Sequence, residues 1–185
     1  EGTEALELAL PEFAAEGIPV VVPSGNSRKL DIHVSGKLTP GQSVTVPWTI
    51  SEGRKQSNID LWYPLTDFFD IYVKTPGGHV ISGPTSDAGI DTPDGNVIIL
   101  ADRRLGKEWW INVTSTKQAA LQSIPWSFTL TGVTVVDGKW DAWTEPGNFT
   151  KSGGTITGTY AIDPSDTIDY PGTARGVITV GSYMT

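Results

Sequence analysis

Apolar and polar residues alternate through most of the chain between residues 27 and 150. Because successive side chains of a β-strand point to opposite faces, each alternating set places its apolar members on one face of a half-buried strand. Turn-forming stretches such as Thr39–Gly41 and Pro76–Gly78 separate the sets. About eight such strands in about 120 residues predict an antiparallel β-sandwich of jelly-roll type, so the expected fold class is mainly β. The predicted strands are Leu30/Ile32/Val34, Val44/Val46/Trp48/Ile50, Ile59/Leu61/Tyr63, Phe69/Ile71/Val73, His79–Ser82, Val97–Ala101, Trp109/Ile111/Val113 and Trp126/Phe128/Leu130.

A different pattern precedes the alternating region. Apolar residues at positions 6, 10, 13 and 14 follow the spacing of an amphipathic helix. Pro11 is expected to kink or split this helix, because its ring opposes the carbonyl group four residues earlier. The uninterrupted apolar run Ile18–Val22 then predicts a strand buried on both faces, as in parallel sheets, and Pro23–Asn26 predicts a turn.

The last part of the chain returns to this α/β character. One more alternating strand has Ile156, Tyr160 and Ile162 in phase, and the chain then reaches the compact apolar run Gly176–Gly181. That run is more similar to Ile18–Val22 than to the sandwich strands. The sequence therefore predicts three parts: an α/β segment at 1–26, an inserted sandwich at 27–150, and a return segment with a second α/β strand at 151–185.

Composition narrows the classes of function. The 185 residues include no cysteine, which excludes disulfides, zinc–thiolate sites and thiol catalysis. With 13 basic and 21 acidic residues the net charge is −8, so we expect no nucleic-acid partner. The apolar runs are too short to span a membrane. No basic start is followed by an apolar stretch, so the sequence does not predict a signal peptide.

A serine hydrolase needs a serine held against a histidine that a carboxylate orients. The two histidines are His33 and His79. The phase of its strand predicts that His33 points outward beside Asp31 into solvent, and His79 lies at a turn. No Gly-x-Ser-x-Gly motif occurs, so we expect the chain alone to carry no catalytic triad.

Two acidic loops are candidate metal sites. Asp87, Asp91 and Asp94 crowd one glycine-rich loop that could hold calcium, but the spacing is not that of an EF-hand and a solvated acidic turn is favoured. The same interpretation applies to a second loop that contains Asp163, Asp166 and Asp169. Apart from the possible calcium ion, the sequence predicts neither a metal nor a cofactor.

Seven tryptophans raise the possibility of sugar stacking. Three fall on the inward phase of their strands and are predicted core residues: Trp48, Trp109 and Trp126. Four are candidate binding residues for a glycan or a protein partner: Trp62, Trp110, Trp140 and Trp143. The first two of these lie on the outward phase, and the other two lie after the last predicted sandwich strand.

The flanks carry a resemblance to a known family. Gly17–Asn26 resembles the segment of subtilisin-family serine peptidases (subtilases) in which a helix and a buried strand deliver an asparagine to the oxyanion hole. Tyr170–Tyr183 resembles the family's next core strand and its lead-in. In ordinary subtilases a short stretch separates these two neighbouring strands, whereas here the predicted sandwich lies between them. This arrangement is similar to that of subtilases with a jelly-roll insertion, including the bacterial Csp-type germination proteases. Within the predicted sandwich, Leu61–Pro64 and Trp143 also resemble the inserted domain of that group.

The resemblance implies a role for one residue. Asn26 matches the oxyanion asparagine, whose side-chain amide would donate a hydrogen bond to the tetrahedral intermediate, and Gly25 would allow the tight turn before it. Pro23 and Ser24 depart from the family, which more often has small apolar residues there, and without the flanking strands Ser24–Asn26 would be interpreted as a plain turn. The family's aspartate, histidine and serine motifs are expected outside residues 1–185, so we expect no peptidase activity from this chain alone.

Two classes of function follow. The first is the central fragment of a secreted or cell-envelope bacterial subtilase, whose partners would be the rest of the protease domain, its prodomain and a protein or peptide substrate. The alternative is a non-catalytic glycan- or protein-binding β-sandwich module. A parent protease with a degenerated triad is a third option.

Overall fold

The computed structural model describes residues 5–102, 107–116, 120–121, 125–145, 147–150, 159–165, 167–168 and 171–181. The chain divides into two compact units. The first consists of Glu1–Leu30 and Pro164–Thr185, and the second is Asp31–Asp163. The predicted helix and the two compact apolar runs belong to the first unit, and the alternating strands belong to the second.

The helices and strands are, in chain order, α1 (Ala5–Ala15), β1 (Val21–Pro23), a short 3₁₀ helix (Ser27–Lys29), β2 (His33–Lys37), β3 (Ser43–Ile50), β4 (Gln56–Tyr63), β5 (Phe68–Lys74), β6 (Val80–Ser82), β7 (Ile90–Thr92), β8 (Gly95–Asp102), β9 (Lys107–Thr114), β10 (Trp126–Thr134), β11 (Lys139–Glu145), β12 (Gly147–Phe149), β13 (Thr159–Ile162) and β14 (Ile178–Val180). No helix among the described residues is long and apolar enough to cross a membrane.

The first unit is a small α/β layer. The predicted helix is confirmed as α1 and continues through Pro11. Strands β1 and β14 pair in parallel, with Val21 opposite Ile178 and Pro23 opposite Val180. Backbone hydrogen bonds extend the pair at both ends, from Ile178 N–H to the Val20 carbonyl oxygen and from Ser24 N–H to the Val180 carbonyl oxygen, each 2.8 Å long.

The prediction that Ile18–Val22 is buried on both faces is wrong for the described residues. Val22 is buried, but Val21 is 59% exposed and its neighbour Ile178 is 56% exposed. The physical reason is that a strand is buried on both faces only when both faces of its sheet are covered. Within the part of the chain that the structure describes, one face of this pair is not.

The second unit is the predicted antiparallel sandwich. One sheet has five strands in the order β12-β3-β10-β5-β6, and the other has seven in the order β13-β2-β11-β4-β9-β8-β7. Strands β2 to β5 alternate between the two sheets, as do β9 to β13. The pairing is nested: β2 with β11, β3 with β10, β4 with β9, and β5 with β6. A rolled-up hairpin of this kind is a jelly roll, so the mainly β fold class is confirmed.

The core fills the space between the two sheets. The inward residues of β3, β4, β5 and β10 alternate with outward residues along each strand, as the sequence pattern predicts. Trp48, Trp109 and Trp126 are buried, which confirms them as core residues. Trp48 and Trp126 are also register partners on β3 and β10, with ring centroids 6.1 Å apart.

The strand count and both ends of the sandwich differ from the prediction. The two sheets contain more than the predicted eight or so strands, because β7, β11 and β12 had no clear signal in the sequence. Strand β13 lies in the predicted return segment at 151–185, yet it pairs with β2 and extends the sandwich. The chain divides between Leu30 and Asp31 and between Asp163 and Pro164, whereas the sequence predicts divisions after residues 26 and 150. The first alternating residue of that predicted strand, Ile156, lies outside the described residues.

Candidate functional site

Asn26 lies just beyond the carboxyl ends of the two parallel strands. Pro23 and Val180 are the last paired residues of β1 and β14, and Ser24, Gly25 and Asn26 follow β1 directly. Gly25 has a φ of +79°, a left-handed conformation that glycine adopts without strain. Asn26 is exposed and precedes the 3₁₀ helix, but its side chain makes no capping hydrogen bond to that helix. Ligands of open α/β sheets bind at this same edge, so Asn26 occupies a position suited to binding.

Gly181, the residue after β14, lies close to Ser24. A Cβ atom added to Gly181 would lie 2.9 Å from the Ser24 Oγ atom, closer than real Cβ contacts allow. The Gly181 backbone therefore approaches the turn that carries Asn26.

The lead-in to β14 packs on helix α1. Glu7 is buried, and the Thr173 hydroxyl donates a hydrogen bond to its Oε1 atom. Thr179 Oγ1 donates to the Gly172 carbonyl oxygen at 2.6 Å, which ties the lead-in to β14. An added Cβ on Gly176 would lie 3.5 Å from the Ala14 Cβ atom. Helix α1, strand β1 and the return segment thus form one local structure around the turn at Asn26.

The four candidate tryptophans do not share one environment. Trp62, Trp110 and Trp143 lie half-buried on the outer face of the seven-stranded sheet. The prediction that Trp140 is a surface anchor is wrong, because it is 1% exposed and packs edge-on against Phe128 in the core. The reason is that the segment after β10 forms strand β11, whose alternation directs residues 140, 142 and 144 inward.

The three outward tryptophans surround a carboxylate. Asp60 on β4 is the register partner of both Trp143 on β11 and Trp110 on β9. Trp62 is the next outward residue along β4 and lies opposite Asp141. The outer face therefore presents aromatic rings interleaved with acidic side chains.

The prediction that His33 is a solvated surface residue is also wrong. Its strand phase directs it to the outer face as expected, but the side chain is fully buried there. Trp143 stacks on the ring, with centroids 4.5 Å apart and planes 12° apart. Asp141 and Asp163 supply its hydrogen-bond partners. Sequence periodicity missed this cluster, because it does not show which neighbours cover an outward residue.

Carboxylates of the two acidic loops accept hydrogen bonds from protein groups. In the first loop, Asp94 Oδ2 accepts from the Thr75 hydroxyl and from Gly77 N–H, and Asp91 Oδ1 accepts from the Asn96 amide at 2.8 Å. In the second loop, Asp163 Oδ2 accepts from the Ser35 hydroxyl at 3.2 Å. Asp166 and Asp169 lie outside the described residues. Among the described residues, no three histidine or acidic side chains gather in a way that could hold a metal ion, and calcium at the first loop stays a prediction.

The fold defines a class of protein in which a jelly-roll sandwich interrupts an α/β layer. Both ends of the sandwich continue into strands that pair in parallel, and the turn at Asn26 lies at their carboxyl edge.

Among solved structures, the chain is similar to the CspB protease of Clostridium perfringens, a subtilase-type protein, with a TM-score of 0.79 and 20% sequence identity. The similarity covers 99% of this chain and 38% of the CspB chain, so this chain spans well under half of that protease. No protein-family model and no curated protein matches the sequence. At this level of identity the similarity shows the fold.

Proposed function

We propose that this chain is the central part of a subtilisin-like serine endopeptidase and that most of it is an inserted jelly-roll domain. The observation that carries the proposal is that β1 and β14 pair in parallel although the whole sandwich lies between them in the sequence. Two neighbouring parallel strands are joined by a long crossover connection. When an entire sandwich forms that connection, the two strands can still pair as neighbours in the α/β layer. The fold similarity to CspB over nearly the full chain supports the same conclusion.

In this proposal Asn26 supplies one donor of the oxyanion hole. Its side-chain amide would stabilise the negative charge that develops on the carbonyl oxygen of the scissile peptide bond. The exposed position of Asn26 after β1 suits that role. The nucleophile, base and orienting carboxylate would come from outside this chain, since His33 is buried against Asp141, Asp163 and Trp143.

The exposed apolar side chains of the first unit suggest what surrounds it. Val21, Ile178 and Val180 are exposed on the parallel pair, and Leu6 and Phe13 are exposed on α1. Parallel sheets occur almost always with both faces covered. We infer that the rest of a protease domain covers these residues, that a prodomain is a further partner, and that the substrate is a protein or peptide. By resemblance to the same family, the parent would be a secreted or cell-envelope bacterial protein.

The oxyanion role is tested in the longer protein that contains this chain. Changing Asn26→Ala should lower kcat by about 10²–10³ with little change in KM, a magnitude established on subtilisin itself. Ser24→Ala, two residues earlier in the same turn, is the matched control and should leave kcat within about threefold. An Asn26→Ala variant with unchanged kcat would rule out the oxyanion role.

The outer face of the sandwich favours a second candidate function, a non-catalytic module that binds a glycan or a protein. The observation is the group of Trp62, Trp110 and Trp143 around Asp60. Tryptophan faces can stack on sugar rings, and carboxylates accept hydrogen bonds from hydroxyl groups. A glycan array followed by tryptophan-quenching titration tests it: saturable binding that is lost in Trp62→Ala or Trp110→Ala supports the module. Binding to no glycan and to no protein would remove this candidate.

A further inference from the structure

His33 has an unusual hydrogen-bonding environment at the start of β2. Its side chain is 0% exposed. The Nδ1 atom lies 3.2 Å from the backbone carbonyl oxygen of Asp163, and the Nε2 atom lies 3.2 Å from Oδ1 of Asp141. A carbonyl oxygen and a carboxylate oxygen both accept hydrogen bonds, so both ring nitrogens of His33 face acceptors.

This geometry discriminates between the protonation states of the ring. A neutral imidazole carries one N–H, so one of its nitrogens would direct a lone pair at an oxygen atom. The imidazolium carries two N–H groups and can donate to both partners at once. Trp143 stacks parallel to the ring and offers a π face, which attracts a cation. The Asp141 side chain is 41% exposed, so water as well as His33 can solvate its carboxylate.

The cluster joins three consecutive elements of the seven-stranded sheet. His33 lies on β2, Asp141 and Trp143 lie on β11, and Asp163 directly follows β13. Asp163 makes two further hydrogen bonds: its N–H donates to the His33 carbonyl oxygen at 3.1 Å, and its carboxylate accepts from the Ser35 hydroxyl. Strand β13 is the edge strand through which the chain leaves the sandwich.

The charges that face the cluster come from every element packed against it. Asp141 lies on β11, the Asp163 carboxylate follows β13, and Asp60 on β4 is opposite Trp143. The nearest basic residues on these strands are Lys37 and Lys139, which pair with each other two outward positions away. The carboxylates are thus closer to the ring in register than the lysines are, and their negative charge opposes the loss of hydration that burial imposes on a charged His33 ring.

We propose that His33 is held as an imidazolium and acts as a pH-sensitive latch that fastens β13 to the sandwich. The latch is closed while the ring is doubly protonated. Raising the pH removes one of the two ring protons of His33. One ring nitrogen then directs a lone pair at an acceptor oxygen, and the attachment of Asp163 and β13 to the sandwich weakens. A histidine stabilised in this way contributes stability below its ordinary titration range and loses it as the pH rises through its own, higher range.

The protonation state of the His33 ring tests the proposal directly. Nuclear magnetic resonance of ¹⁵N-labelled protein at about pH 8, above the ordinary histidine value of about 6.5, reports how many protons the ring carries. We expect both ring nitrogens of His33 to carry protons at that pH. If the ring of His33 carries a single proton there, the proposal is overturned.

A second experiment tests the latch itself without removing the buried ring. Asp141→Asn keeps the shape of the partner and removes its charge, so His33 should titrate at least about one pH unit lower, a tenfold loss of proton affinity. Ser35→Ala, which leaves both partners of the ring in place, is the matched control and should shift the titration far less. At about pH 8, hydrogen exchange in Asp141→Asn should be about tenfold faster at β13 than in the unchanged protein, with β12 unaffected. Equal exchange at β13 in both proteins would contradict the latch, whatever the histidine titration shows.

Discussion

Ile178 donates its backbone N–H to the carbonyl oxygen of Val20 at 2.8 Å, although the entire sandwich lies between them in the sequence. The chain therefore leaves the α/β layer after β1 and returns to it on the neighbouring strand. The two sequence flanks, which resemble adjacent subtilase strands, are therefore neighbours in one local structure. This pairing also places the turn at Asn26 beside the carboxyl end of β14.

The carboxylate of Asp67 anchors the turn between β10 and β11. Asp67 is buried, and its oxygens accept hydrogen bonds from the N–H groups of Val136, Asp137 and Gly138 at 2.7, 3.2 and 2.6 Å. Burial opposes ionisation, but these bonds outweigh it and lower the pKa of Asp67 below its ordinary value. Asp67→Asn should lower the free energy of unfolding by about 2 kcal/mol in urea denaturation at neutral pH.

The lowered pKa also fixes the sign of a pH effect. A carboxylate with a lowered pKa in the folded state stabilises the protein above its unfolded value, and the contribution is lost as the pH falls through the folded value. The stability difference between the unchanged protein and Asp67→Asn should therefore shrink below about pH 4. Asp70→Asn, on the outer face of β5, serves as the control. A difference that stays constant down to about pH 2 would show that Asp67 acts through packing and not through its charge.

Tyr63 satisfies a buried tryptophan. The Trp109 indole N–H donates to the Tyr63 hydroxyl at 2.7 Å, and both side chains lie in the core. Tyr63→Phe removes the acceptor and leaves a buried donor unsatisfied, which costs about 1–3 kcal/mol in thermal or urea unfolding. Tyr72→Phe, at a half-buried outward position of β5, should change stability by less than about 0.5 kcal/mol. Equal effects of the two changes would contradict the assignment.

Gly138 is needed for space as well as for conformation. It has a φ of +82°, and a Cβ atom there would collide with the Leu38 carbonyl oxygen. Gly53 provides a matched control, because its φ is +78° but nothing lies within 4 Å of its added Cβ. Gly53→Ala should cost about 1 kcal/mol from backbone strain alone, whereas Gly138→Ala should cost at least about 2 kcal/mol more. Circular dichroism melting of the two variants measures the difference, and similar melting temperatures would count against the collision.

The sandwich was predictable from the sequence because period-two alternation directly reports which residues share a face. The inward sets of β3, β4, β5 and β10 follow that pattern without exception. Strand β11 was missed because Gly138, Asp141 and the tryptophans of its short segment do not show a clean apolar alternation. Its place in the middle of the sheet depends on pairing with β2 and β4, which are distant in sequence.

The candidate site was predictable only in part. The turn at Asn26 had local signals, namely an apolar run and a glycine, and the structure places it at the edge of β1 and β14. The burial of His33 had none, because it arises from Asp163 and Trp143, which lie far along the chain. Cross-strand partners of this kind depend on the topology of the sheet, and local sequence patterns do not predict them.

The most direct test of the account asks whether the strands before and after the sandwich are neighbours. The chain has no cysteine, and Val21 and Ile178 are exposed register partners on adjacent parallel strands. Such strands lie about 4.8 Å apart, which is within the range that a disulfide spans. The double variant Val21→Cys/Ile178→Cys should therefore form an intramolecular disulfide nearly completely on mild oxidation, as measured by intact mass and loss of free thiols. The control Val21→Cys/Val180→Cys moves the second cysteine two positions along β14 to another exposed residue, which is the register partner of Pro23 and lies beyond the reach of a disulfide from position 21, so we expect it to cross-link far less. If the first pair cross-links no better than the control, β1 and β14 are not adjacent and the proposed protease ancestry is contradicted.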